Sequence, residues 1–358
     1  MKPRTLLITV FVLSIIGCSS ENESVSIETP SIDTIYFPPI NSNNWDTVSS
    51  NELNWNSDSL DELTIFLNET NTKSFIILHK GKIAYEQYFN DHTANSPWYW
   101  ASAGKTLTAT VTGIAQDQGL LDINQRVSDF LGLGWTSTTQ EQENLITNKN
   151  LLSMDSGLDD TLGDAITTTN LQYLADAGTR WAYHNVYLKL QDVVAQASNQ
   201  TWNTYFNENL KDPIGMTGTW ITNEDLNIYW STSRSMARFG LLIYANGHWN
   251  DTAILSESFL NEATNTSQNI NPAYGYLWWL NGKDSFNLPQ TQVAFSGTLI
   301  PNAPSDMYCA LGKNDQKIYI APSKDLVIIR MGNAANDANF ALSNYDNLLW
   351  EQINNVID

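Results

Sequence analysis

Cysteine, histidine and positive charge are all scarce in this chain, and each shortage closes off a class of function. Two cysteines, Cys18 and Cys309, cannot build a disulfide framework. Four histidines, His79, His92, His184 and His248, lie scattered with no His-x-x-x-His pair, so no metal centre is expected. The chain also lacks a Gly-x-x-x-x-Gly-Lys phosphate loop and a Gly-x-Gly-x-x-Gly turn, and no cofactor is expected. A Gly-x-Ser-x-Gly nucleophile elbow is missing too. Lysine and arginine number 18 against 38 acidic residues, a formal net charge of -20, which argues against nucleic acid as a partner and against adhesion to anionic lipid by charge. No internal repeat is present.

What is there begins with an address. Lys2 and Arg4 precede an apolar run from Leu6 to Ile16, shorter than the ~20 residues a membrane span needs, and this reads as a secretory signal. Gly17-Cys18 at its end resembles the lipobox of bacterial lipoproteins. That resemblance implies cleavage before Cys18 and lipidation of its sulfur, hence a lipid anchor in the bacterial cell envelope, since two or more acyl chains hold a protein stably on a membrane. An ordinary signal peptide with an incidental cysteine is the alternative. The expected organisation is a signal over 1–17, a lipidated Cys18 with a Ser-, Asn- and Pro-rich tether to 44, and one catalytic unit over 45–358.

The most informative stretch runs from Pro97 to Leu121. Leu107, Val111, Ile114 and Ala115 recur at helical spacing, and Gly119 is a good stop, so a helix is expected over Ser102 to Gln118. Residues three apart share a helix face, which brings Ser102 and Lys105 together. A serine hydroxyl is a poor nucleophile until a neighbouring base takes its proton. A lysine serves as that base once burial or nearby cations favour its neutral form. Four letters alone also fit a plain helix start with an exposed lysine.

Around this helix the pattern is mixed. Ser74 to His79 and Ile83 to Tyr88 read as strands joined at Gly81. Helices are expected at Leu188 to Ala197, Trp202 to Leu210, Thr232 to Ala245 and Ala338 to Val356, and strands at Gln316 to Ala321 and Leu326 to Met331. Strands at both ends with helices between indicate an α/β (α+β) fold: an antiparallel sheet built from the two termini, with a mainly helical region inserted over roughly 101–265.

Five segments then occur in order: Ser102-Ala-Gly-Lys105, Leu151-Leu-Ser-Met-Asp-Ser-Gly-Leu158, Gly178-Thr-x-x-x-Tyr183-x-Asn185, Pro213-Ile-Gly-Met216 and Ala237-Arg-Phe-Gly-Leu241. Together they resemble the serine β-lactamase and penicillin-binding-protein-like hydrolases, in the branch with class C β-lactamases, D-peptidases and family VIII esterases. The resemblance implies that Ser102 is acylated and that Lys105 keeps it activated. It implies that Tyr183 works as general base and acid, and that Asn185 hydrogen-bonds Lys105 and the substrate. A free tyrosine has a pKa near ~10, so that role calls for cations close to Tyr183. His184 between them is expected to be a bystander.

The third motif of that family, a Lys- or His-containing strand segment, is altered. Cys309-Ala310-Leu311-Gly312-Lys313 fits it, with Ala310 where the cation belongs. Gly312 still permits close backbone approach, and the N–H groups of Lys313 and Ser102 are the expected oxyanion donors. Losing the cation argues against carboxylate-bearing β-lactams, and it leaves Tyr183 with one fewer cation unless Lys313 or Lys317 folds in. The Ala-x-Gly segment with Tyr274-Gly-Tyr-Leu-Trp-Trp279 is similar to the carboxylesterase and aminohexanoate-oligomer hydrolase branch. Tyr274, Trp278 and Trp279 are candidates for an acyl pocket, or equally for core packing. The expected activity is cleavage of a small ester or amide. Alternatives are a D-peptidase or β-lactamase, and, from another class, a surface lipoprotein that kept the fold for binding.

Overall fold

The computed structural model describes residues 34–336 and 342–358. Cys18, the signal and the start of the tether lie outside the described residues. No helix among the described residues is long and apolar enough to cross a membrane.

Six antiparallel strands form the central sheet, in the order Lys82–Tyr88, Thr72–His79, Leu326–Gly332, Gln316–Ala321, Tyr308–Gly312 and Trp279–Leu280. The sheet is therefore built from both ends of the chain, as the strand pattern indicates. Its central strands are apolar on both sides because helices cover both faces. Ser233–Tyr244 covers one face, where a Cβ on Gly240 would meet Val327 Cγ1 at 2.5 Å. Ser57–Glu69 and Asn344–Ile357 cover the other, where Trp350 packs edge-on to Tyr319 at 5.7 Å. Strand alternation sends Ile318 and Ile320 to the first face and Lys317 and Tyr319 to the second.

The inserted region is less purely helical than expected. It includes most of a three-stranded sheet of Trp98–Tyr99, Leu226–Ser231 and Thr219–Asn223. The helix expected from Trp202 runs only to Phe206 before a wider turn, Asn207–Lys211, takes over. The last helix starts at Asn344, because Ser343 caps it through a capping box with Asp346; residues 338–341 of the expected span lie outside the described residues.

The folded unit also starts before Trp45, where the tether was expected to end. Tyr36 N–H donates to Lys80 O at 2.9 Å, and Phe37 packs on Trp249. The buried Arg238 guanidinium donates to the carbonyls of Pro39 at 2.8 Å, Ser42 at 3.2 Å and Ile214 at 3.0 Å, between the rings of Trp45 and Trp249. A polar, proline-rich segment reads as a tether in sequence, yet here a distant cation uses its carbonyls.

Candidate active site

Trp100 fixes the approach to Ser102. It is fully buried, its N–H donates to Tyr229 O at 2.9 Å, and its indole N–H donates to Ser231 Oγ at 2.8 Å. The next residue, Ala101, has φ +47°, a left-handed conformation that costs a non-glycine residue energy and is concentrated at functional sites. The chain then makes a 3-10 turn, Ala101–Gly104, before the α-helix Lys105–Asp117 begins. The single helix expected from Ser102 is thus split. The tighter turn nearly eclipses residues three apart, and Lys105 Nζ donates to Ser102 Oγ at 2.9 Å.

Lys105 is 3 % exposed and, among the described residues, has no carboxylate within ion-pair distance. Its ammonium faces two aromatic rings instead, Tyr183 at 4.6 Å and Tyr187 at 4.5 Å. Burial pulls its pKa from the usual lysine range down to about 7, with the charge of Asp164 pulling weakly the other way. Near neutral pH this amine is divided between its neutral and charged forms.

Tyr183 is brought to the same place by the loop that ends at the 3-10 turn Asn185–Leu188. Its ring stacks on Trp279 at 5.6 Å and meets Tyr274 edge-on at 6.1 Å, with Trp181 closing the cluster at 6.2 Å. The lowered pKa that a base role calls for is not what this setting produces. Desolvation pushes the phenol up to about 12, against the hydrogen bonds it shares with Ser102 and Trp279. The physical reason is placement: Lys105 lies over the ring face, and the other neighbours are aromatic.

Asn185 departs from expectation as well. Its amide donates to Asp164 O at 3.2 Å and to Asp164 Oδ1 at 3.3 Å, and no hydrogen bond joins it to Lys105. Asp164 and Tyr187 are the two residues that sequence reasoning missed. Tyr187 lies in the 3-10 turn that follows Tyr183, four residues on; Asp164 carries no local signal. His184 is buried, and desolvation lowers its pKa.

The third-motif strand Tyr308–Gly312 packs against the Ser102 turn. A Cβ on Gly312 would sit 2.4 Å from Trp100 O and 3.0 Å from Ala103 N, so glycine is required for that approach. Ala310 pairs with Ile318 and is buried, so the position is apolar where the family motif carries a cation. Lys317 does not replace it, since its side chain points to the opposite face; Lys313 is exposed at the strand end. The acyl-pocket candidates also divide. Tyr274 and Trp279 form a buried wall behind Tyr183. Trp278 points away and stacks on Phe239 at 6.1 Å, so it is core. Among the described residues no group of His, Cys, Asp and Glu is arranged to hold a metal ion.

A model of the Beta-lactamase family matches residues 69–349. The chain belongs to the Beta-lactamase family. Solved structures similar to it include a "putative beta-lactamase" from Bacteroides dorei, at 16% identity and TM-score 0.66 over 85% of this chain and 99% of that one. A "putative 6-aminohexanoate-dimer hydrolase" from Bacillus anthracis gives 19% identity and TM-score 0.65, over 91% and 89% of the two chains. EstCE1, described as a hydrolase with promiscuous acyltransferase activity, gives 12% identity and TM-score 0.63, over 85% and 99%. At these identities the likeness establishes the fold alone. No curated protein matches the chain. Membership in the Beta-lactamase family makes serine acyl-enzyme chemistry the general expectation for this site.

Proposed function

We propose that this Beta-lactamase family member is a serine hydrolase that cleaves an ester or amide through an acyl-enzyme on Ser102. The observation that carries the reading is the 2.9 Å contact between Ser102 Oγ and a buried Lys105 whose pKa lies at about 7. Neutral Lys105 accepts the hydroxyl proton as Oγ attacks the carbonyl carbon. The developing oxyanion faces the backbone N–H groups of Ser102 and of Lys313, at the end of the third-motif strand. Tyr183 keeps its own proton at neutral pH, which suits it to donate to the departing oxygen or nitrogen and then regain a proton from the Lys105 ammonium. Water follows the reverse route to release the acyl group, with Ser102 and Lys105 restored.

The apolar Ala310 supports an esterase or amidase over a β-lactamase or D-peptidase, because nothing at that position binds a carboxylate beside the reacting carbonyl. The test is turnover of a short-chain nitrophenyl ester and a chromogenic cephalosporin by the chain from Thr34 onward, with intact mass recorded. Ester turnover with an acyl adduct that disappears in Ser102→Ala is the expected result. Faster turnover of the cephalosporin points to the β-lactamase reading. No turnover and no adduct removes the hydrolase reading in favour of a ligand-binding role. Anchoring through Cys18 in the cell envelope belongs to the same proposal; metabolic labelling with a fatty-acid probe, lost in Cys18→Ser, is its check.

A further inference from the structure

The structure assigns to Asp164 the role of a specificity-determining residue: its carboxylate makes the cleft select substrates carrying a positive charge and reject those carrying a negative one. This inference deepens the hydrolase reading and rests on it.

Three observations converge. First, Asp164 is held at the site. It accepts from the Asn185 amide through both its backbone oxygen and Oδ1, and Asn185 lies two residues from Tyr183. Second, its charge reaches the proton acceptor Lys105, and also the adjacent bystander His184. Third, it is exposed and makes no ion pair among the described residues. The neighbouring Asp160 is neutralised by Arg180 at 2.7 Å, but no such cation is bonded to Asp164. An exposed, unpaired carboxylate held beside the Tyr183–Asn185 segment attracts cations and repels anions. Only one of its oxygens is engaged by Asn185, so the other is open to a ligand ammonium.

Of the cations associated with the third motif and the Ser102 turn, Lys313 is the competitor. Ala310 removes the cation from the site-facing strand. Lys317 is sequestered on the other face of the sheet by Asp346 and Asp315. Lys105 is turned inward onto Ser102. Lys313 is exposed next to the third motif, and it is the group that would oppose the inference. Carboxylate against Lys313 is therefore a contest between two named groups, which experiment can resolve.

The probes are three nitrophenyl esters of equal acyl length, ending in trimethylammonium, methyl or carboxylate. At low salt, kcat/KM is expected to fall in that order, with about tenfold or more between the first and last. The gap should narrow as salt screens the charges. In Asp164→Asn, which can still accept from Asn185, the ratio of cationic to anionic ester should collapse toward one, whatever happens to the absolute rates. In Asp164→Glu the ratio should return. A wild-type ratio near one, a ratio unchanged by Asp164→Asn, or preference for the carboxylate ester overturns the inference while leaving the hydrolase reading intact. Failure to turn over any of the three, with no adduct on Ser102, overturns both.

Discussion

Two lysines are buried, Lys317 within the central sheet and Lys105 at the Ser102 turn, and they are treated in opposite ways. Lys317, with no solvent exposure, lies between Asp346 at 2.9 Å and Asp315 at 3.2 Å, and Tyr319 donates to Asp346 at 2.6 Å. That cluster ties the Gln316–Ala321 strand to the first turn of the C-terminal helix. Lys105 is nearly as buried, yet its neighbours are a serine hydroxyl and two aromatic rings. Desolvation without a carboxylate partner lowers its pKa to about 7. A buried charge that is paired belongs to the architecture; one left unpaired is costly, and its persistence points to chemistry.

Removing each amine in turn separates the two roles, and the largest effects are expected here. Lys105→Met should lower kcat/KM by about a thousandfold or more, since the hydroxyl loses its proton acceptor. Its melting temperature at pH 7 should hold or rise, because an unpaired buried amine is replaced by an apolar chain of similar length. Lys317→Met should do the reverse. It leaves two buried carboxylates without their cation, for a loss of about 3–5 kcal/mol, while activity per folded molecule is kept. Equal destabilisation by both variants, read by thermal melts, would sink the comparison.

The pH dependence sharpens it further. If Lys105 must be neutral to act, kcat/KM rises with pH, is half-maximal near pH 7 and reaches a plateau above it. The stability effect has the same sign. Between pH 7 and the ordinary lysine value the unfolded chain binds a proton that the folded chain does not. This residue's contribution to stability therefore rises with pH across that window, by at most about 1.4 kcal/mol per unit. Lys105→Met should remove that slope. An activity limb near pH 4 to 5 would instead place a carboxylate in control.

How much of this was open to reading in the sequence follows the range of each interaction. The Ser102–Lys105 pairing is local, three residues apart, and a periodic apolar face fixed its setting. The strands Gln316–Ala321 and Leu326–Gly332 were legible because runs covered on both faces are apolar throughout. The 3-10 start at Ala101 was not, since it comes from Trp100 being pinned to Leu226–Ser231, far along the chain. Trp278 and Trp279 look alike in sequence, yet Trp278, just before the strand Trp279–Leu280, stacks on Phe239 while Trp279 stacks on Tyr183. Asp164 was beyond reach because it lies 21 positions before Asn185, and nothing local says that they meet.

Arg238 offers a third solution to burying a cation, with carbonyl oxygens in place of carboxylates or aromatic rings, and burial pulls it to about 10. Two of its acceptors, Pro39 and Ser42, belong to the strap before Trp45, so strap and arginine should stabilise the fold only together. A chain starting at Trp45 should melt lower than one starting at Thr34, by about 2 kcal/mol for the lost hydrogen bonds to a charged group. Arg238→Met in the longer chain should cost a similar amount. In the shorter chain the same substitution should cost far less, because the Pro39 and Ser42 acceptors are already gone and an under-paired buried charge is removed. Additive losses would mean that the strap is held by its other contacts, Tyr36, Phe37 and the Asn43 carbonyl that accepts from Arg234, and that Arg238 is no more coupled to it than Lys105 is to a carboxylate.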